Sequence, residues 1–151
     1  MKFAISSTLL TLAAGLVSAA TIESRLSCPQ ATRFGVVTLS KSTVKAGDSI
    51  TINVDLRCAV QNFGINAQLL DYTLEVPASS NNGFQAPIML GRHSIAHGAL
   101  SDTLTTTIPH GFFVAGSNYN VVLTNVYPIA GTDGSPVVVE GGVLTPITVQ
   151  V

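Results

Sequence analysis

Ile50, Ile52, Val54, Leu56 and Cys58 are apolar, while Thr51, Asn53, Asp55 and Arg57 between them are polar. A period of two sends alternate side chains to opposite faces of an extended chain, so this run reads as a strand buried on one face and wet on the other. Leu70, Tyr72, Leu74 and Val76 alternate in the same way with Asp71, Thr73 and Glu75, until Pro77 stops the run. Beyond the first twenty or so residues, no stretch shows the 3.6-residue period of an amphipathic helix. Gly35 to Leu39, Pro87 to Leu90, the Thr-rich Leu100 to Ile108, and Tyr119 to Tyr127 are β-prone. So are Val137 to Glu140 and Val143 to Val151, with Gly141-Gly142 between them as a turn or bulge. Val44 to Asp48 reads as a turn, and Ala78 to Phe84 as a polar loop carrying Asn81-Asn82-Gly83. About seven or eight short strands with turn signals between them predict an all-β fold. A single antiparallel sandwich is expected, with a small closed barrel as the competitor.

The N-terminus carries a different signal. Lys2 precedes an apolar run from Phe3 to Val17, and Ser18, Ala19 and Ala20 follow with small side chains. That order is the layout of a cleaved secretory signal peptide. The run is rich in Ser, Thr, Ala and Gly, and a membrane span needs about 20 mostly apolar residues. Residues 1–20 are therefore expected to be a signal peptide, 21–33 an N-terminal arm and 34–151 the β-sandwich domain. Leu144 to Val151 alternates like a strand rather than forming a lipid-anchor tail. A secreted, extracellular product without stable membrane insertion is expected.

Export gives the two cysteines a meaning. Cys28 and Cys58 are the whole complement, and a disulfide between them is expected in an oxidising compartment. It closes a loop of about 30 residues, worth about 3–4 kcal/mol by loop entropy. A metal-binding or catalytic thiol is the alternative, although neither Cys lies in a CxxC pair or near a His in sequence. The formal net charge is −1, only 10% of residues are charged, and no basic run occurs. Phosphate backbones and anionic membranes need clustered Lys and Arg, so nucleic acid is not an expected partner.

One segment resembles a known architecture. Pro109-His110-Gly111-Phe112-Phe113-Val114-Ala115-Gly116-Ser117-Asn118-Tyr119 leads from a Pro through a Gly to a Tyr that opens a strand. It resembles the tyrosine corner of immunoglobulin-like and fibronectin type III sandwiches, which implies a structural role for Tyr119. Val44-Lys45-Ala46-Gly47-Asp48-Ser49-Ile50 is similar to the start of the second strand in that architecture. Together the two segments also resemble the N-terminal domain of fungal cell-wall proteins of the Kre9/Knh1 kind. The resemblance implies an immunoglobulin-like β-sandwich and a role at a cell wall.

Candidate chemistry is sparse. His93 and His97 lie between Gly91 and Gly98; on a strand their rings stand about 13 Å apart, too far to share one ion. His110 is a third candidate ligand without an accompanying carboxylate pattern. Ser101, Asp102 and His97 or His110 compose a nucleophile–base set only on paper, since no Gly-x-Ser-x-Gly elbow exists. Asp71 with Glu75, and Asp55 with Arg57, read as wet-face charges rather than paired glycosidase acids. A copper site on an N-terminal His is excluded, because the expected cleavage leaves Ala20 or Thr21 first. No catalytic residue, metal ligand or cofactor is expected. The chain has no Trp and only three Tyr; Tyr72 and Tyr119 read as structural. Tyr127, Phe84, Phe112 and Phe113 remain as candidate exposed rings. The Phe112-Phe113 pair is the candidate binding loop, with a plug over the core as its alternative role. No Asn-x-Ser/Thr acceptor occurs.

The leading expectation is a secreted, non-catalytic immunoglobulin-like domain that binds or is placed at a cell surface or wall. Its partners would be wall polysaccharide or an extracellular protein. The alternatives are a small secreted hydrolase or metal-dependent enzyme, and an effector or inhibitor of another protein.

Overall fold

The computed structural model describes residues 26–151, so the expected signal peptide and the first part of the arm lie outside the described residues. A short 3₁₀ helix spans Gln30–Thr32. Eight strands follow: β1 (Val36–Leu39), β2 (Thr43–Lys45), β3 (Ser49–Asp55), β4 (Leu69–Glu75), β5 (Ile88–Ser94), β6 (Ser101–Thr107), β7 (Tyr119–Ala130) and β8 (Pro136–Gln150). They form two sheets, ordered β1-β3-β6 and β2-β8-β7-β4-β5. The chain is all-β as its alternation predicts, and the apolar set of each strand fills the space between the sheets. Ile50, Ile52 and Val54 from β3 meet Leu70, Tyr72 and Leu74 from β4 and Val121 and Leu123 from β7, all buried. No helix among the described residues is long and apolar enough to cross a membrane.

Four local expectations are corrected. The alternation from Ile50 to Cys58 does not stay extended to its end. The Asp55 carboxylate accepts the Arg57 backbone N–H at 2.9 Å and pairs with the same residue's guanidinium. Such a local side-chain bond competes with the sheet ladder and ends it. The chain then makes one π-helical turn over Cys58–Asn62, with the Phe63 N–H bonded to the Cys58 carbonyl. Cys58 is still buried, and it forms the disulfide with Cys28.

Val44 is not in a turn but in β2, which pairs parallel with β8, so the sheet is not wholly antiparallel. The turn begins one residue later, where Asp48 accepts the Lys45 N–H and Gly47 adopts φ +88°. The strand read as ending at Leu90 runs on to Ser94 and carries His93. Gly141-Gly142 is neither a turn nor a break: β8 runs straight through, opposite Thr124 and Asn125 of β7. The reversal lies at Gly131–Ser135, where Asp133 accepts the Ser135 N–H.

Gly141 serves another purpose. The Phe34 ring occupies the place where a Cβ of Gly141 would stand. Phe34 also packs against Tyr127 with centroids 6.1 Å apart, and its carbonyl accepts a bond from the buried Asn125 side chain. The N-terminal segment is thus fixed twice, by Cys28 and by Phe34.

Two stability measurements follow from this. Replacing both Cys28 and Cys58 by Ser should lower unfolding free energy by about 3–4 kcal/mol in a denaturant titration. G141A should cost about 1–3 kcal/mol by overpacking, and most of that penalty should vanish in an F34A background. An equal penalty in both backgrounds would show that Phe34 is not the obstacle.

Candidate functional site

Asp102 faces inward from β6, next but one to the buried Leu104. A carboxylate there must be satisfied, because an unpaired buried charge is costly. Two residues of the other sheet do so. The Tyr72 hydroxyl donates to Asp102 Oδ2 at 2.5 Å, and His93 Nδ1 lies 2.7 Å from the same oxygen. The Tyr72 and His93 rings meet edge-on at 5.9 Å. Nearby, the Thr106 hydroxyl donates to the Leu90 carbonyl across the same seam. Burial, reinforced by the Asp102 carboxylate, pushes the Tyr72 hydroxyl far above its ordinary value, so it stays a donor. Burial pushes the Asp102 carboxyl up, but the hydrogen bonds from Tyr72 and His93 and the His93 charge outweigh it. The net effect holds Asp102 below the usual carboxylate range.

A carboxylate orienting a histidine is half of a general-base arrangement. The other half is missing among the described residues: no hydroxyl or thiol is bonded to His93. Neither His93 nor Asp102 lines any of the clefts described below. The cluster is a clasp between sheets. Sequence pairing of Asp102 with His97 or His110 is corrected, since the partner is His93.

The remaining candidates are dispersed. His97 lines a 340 Å³ cleft with Gly64, Asn66 and Pro128. His110 lies at the other end of β6, beside Gly47. Ser101 sits at the exposed start of β6, in a shallow cleft with Asp55 and Arg57. Among the described residues, no three His, Cys, Asp or Glu side chains gather as an ion would need. Asp71 is bound by Arg92 Nη2 at 2.6 Å on the outer sheet face, and Glu75 accepts the Thr73 hydroxyl.

The aromatic candidates separate. Phe113 is partly buried and meets Tyr119 edge-on at 5.7 Å, as a plug does. Phe112 is fully exposed, and Phe84 is 90% exposed on the facing loop. Between them lies a cleft of about 380 Å³, lined by Leu74, Val76, Phe84, Gln85, Ile88 and Phe112, with other residues of the two loops. Its walls are held locally. Asn81 accepts the Gly83 N–H and donates to the Gln85 carbonyl, which fixes the loop carrying Phe84. The Tyr119 hydroxyl accepts the Val114 N–H at 2.9 Å, five residues upstream, which fixes the other loop. Gln85 leaves its buried side-chain oxygen without a donor. Phe112 also borders a second cleft with Lys45, His110 and Val151. Another cleft, of about 630 Å³, is lined by Ser42, Thr43, Ser117, Asn118 and Pro146, with no charged residue in its lining. Of the residues that shape this cleft, Asn81 lies in the segment expected as a polar loop and Ile88 in one expected as a strand, while Gln85 carries no sequence signal.

No family model matches the chain, and no curated protein matches it. The solved structures similar to it include a superoxide reductase (neelaredoxin) from Ignicoccus hospitalis. It is 14% identical, over 77% of this chain and 80% of that one, with a TM-score of 0.40. A single-substitution variant of that enzyme aligns at 15% identity over 80% and 82%, with a TM-score of 0.41. The functional expectation is corrected on this finding. These structures are of an enzyme, not of a non-catalytic module of a surface or wall, and the reading of a non-catalytic domain placed there is withdrawn. At these TM-scores the likeness in turn assigns no activity to this chain.

The clasp gives a signed pH prediction. A carboxylate with a lowered folded value stabilises the fold above its unfolded value of about 3.9 and loses that contribution as pH falls through the folded value. D102N keeps an acceptor for Tyr72 but no charge. The stability gap between wild type and D102N should be full at neutral pH and should narrow below pH about 4, read by urea unfolding. A gap independent of pH would mean that the charge of Asp102 contributes nothing.

Proposed function

We propose that the loop end of the domain captures a small apolar or aromatic group that carries one hydrogen-bond donor. The observation behind this is the cleft between Phe84 and Phe112, of about 380 Å³, within the range of about 300–1,000 Å³ usual for ligand sites. Exposed Phe rings are costly to leave in water, and a ligand between them removes both from solvent. Gln85 supplies the single unsatisfied acceptor among apolar walls, which sets a requirement for a donor. The loops are already braced by Asn81 and Tyr119, so little ordering is needed on binding.

The frame is read as immunoglobulin-like. Support comes from the Tyr119 hydroxyl, bonded back to the Val114 backbone at the start of β7, as in a tyrosine corner. Secretion through a signal peptide is supported by the apolar run of residues 3–17 and by the disulfide, which persists in oxidising compartments.

N-phenyl-1-naphthylamine, an apolar fluorophore with one N–H, should show saturable enhancement with the folded protein. F84S/F112S should abolish it. Q85A should weaken this probe about 3–10-fold while leaving phenylnaphthalene unaffected. Absence of saturable binding, or binding indifferent to F84S/F112S, would reject the site.

A further inference from the structure

Phe112 stands on a divide. On one side is the cleft lined by Phe84 and Gln85; on the other is a cleft of about 480 Å³ that includes Lys45, His110, Gln150 and Val151. Gly111 and Phe112 border both, so the two clefts meet at these residues. Gly111 puts no side chain there; a Cβ would stand 3.4 Å from Ile88 Cδ1, on the wall of the first cleft. The two halves differ in charge. No charged side chain lines the first. In the second, Lys45 and His110 are the titratable side chains, and neither Asp nor Glu lines it. The Lys45 ammonium has no ion-pair partner among the described residues. Asp48, the acid closest to it in sequence, directs its Oδ2 to the Lys45 backbone N–H at 3.0 Å. The His110 ring lies over Gly47, in the turn that follows β2.

We propose that the occupant is a small amphipathic anion: an aromatic or alkyl carboxylate whose apolar body lies between Phe84 and Phe112 and whose carboxylate passes over Gly111 to Lys45. This rests on the capture site proposed above and adds the charged end of its ligand. Apolar walls hold a body without orienting it, because the hydrophobic effect has no direction. The polar groups at the two ends set the direction. Gln85 offers an unsatisfied acceptor, which repels a carboxylate, and Lys45 offers a cation, which attracts one. A single lysine also selects for size. Nucleic acid and anionic membranes are held by clusters of Lys and Arg, so one cation beside an apolar cleft matches one small anion.

Displacement of bound N-phenyl-1-naphthylamine tests this. Indole-3-butyrate carries an aromatic body, one N–H and a flexible carboxylate arm, and indole-3-butyramide is its uncharged isostere. At neutral pH and low ionic strength, the acid should displace the probe at a concentration about three- to fivefold lower than the amide. K45Q should close that gap and K45R should keep it. Salt at about 1 M, where the screening length is about 3 Å, should close it as well. Each comparison is a ratio within one variant, so any effect of the substitution on the probe cancels. Equal displacement by acid and amide overturns the anionic ligand and leaves the capture site standing. So does a bound probe that neither compound displaces. A gap that K45Q leaves intact overturns the role of Lys45. A probe that does not bind at all rejects the capture site, and this inference with it.

Discussion

Burying a tyrosine hydroxyl between two sheets obliges the opposite sheet to answer it. Tyr72 is fully buried at the centre of the core, and its hydroxyl finds its acceptor on Asp102. That acid is tolerable at an inward position only because Tyr72 and His93 share its Oδ2. The Thr106–Leu90 bond continues the seam, and Gly91 gives Leu104 the room to pack against β5. Apolar packing holds two sheets together without fixing how they slide. Polar contacts of defined geometry at one edge fix the slide, and every other contact in the core inherits that alignment.

The same logic explains which features were legible in the sequence. Alternation in β3 and β4 follows from one-sided burial, so Ile50 to Val54 and Leu70 to Leu74 declare both strand and inner face. Alternation cannot say where a strand stops when a local bond competes, and Asp55 with Arg57 ends β3 before Cys58. Nor does composition distinguish a glycine pair that turns from one that makes room. Gly141-Gly142 belongs to the second kind because of Phe34, more than a hundred residues earlier in the chain.

Sites built from distant residues were the least visible. His93 lies four residues before His97 and nine before Asp102, and only the fold makes Asp102 its partner. Strand periodicity kept those two histidines apart, yet no local pattern announces which strand of the other sheet will face Asp102. At the loop end, Phe84 and Phe112 were visible as rings without core positions. Their meeting across one cleft depends on two braces, Asn81 and Tyr119, and only the tyrosine stood in a recognisable context.

The disulfide has a mechanical consequence. Cys28 and Cys58 bracket β1, β2 and the whole of β3, the first sheet's central strand. Tension applied through the N-terminus passes across the sulfur bridge directly to Cys58, and the bracketed residues carry none of it. In the oxidised chain, β2 therefore lies outside the covalent path of a pull between the two ends, while its partner β8 stays on it. Reduction would put β2 into the path of force. There it is loaded in shear against β8, with its bonds strained together and not opened one by one.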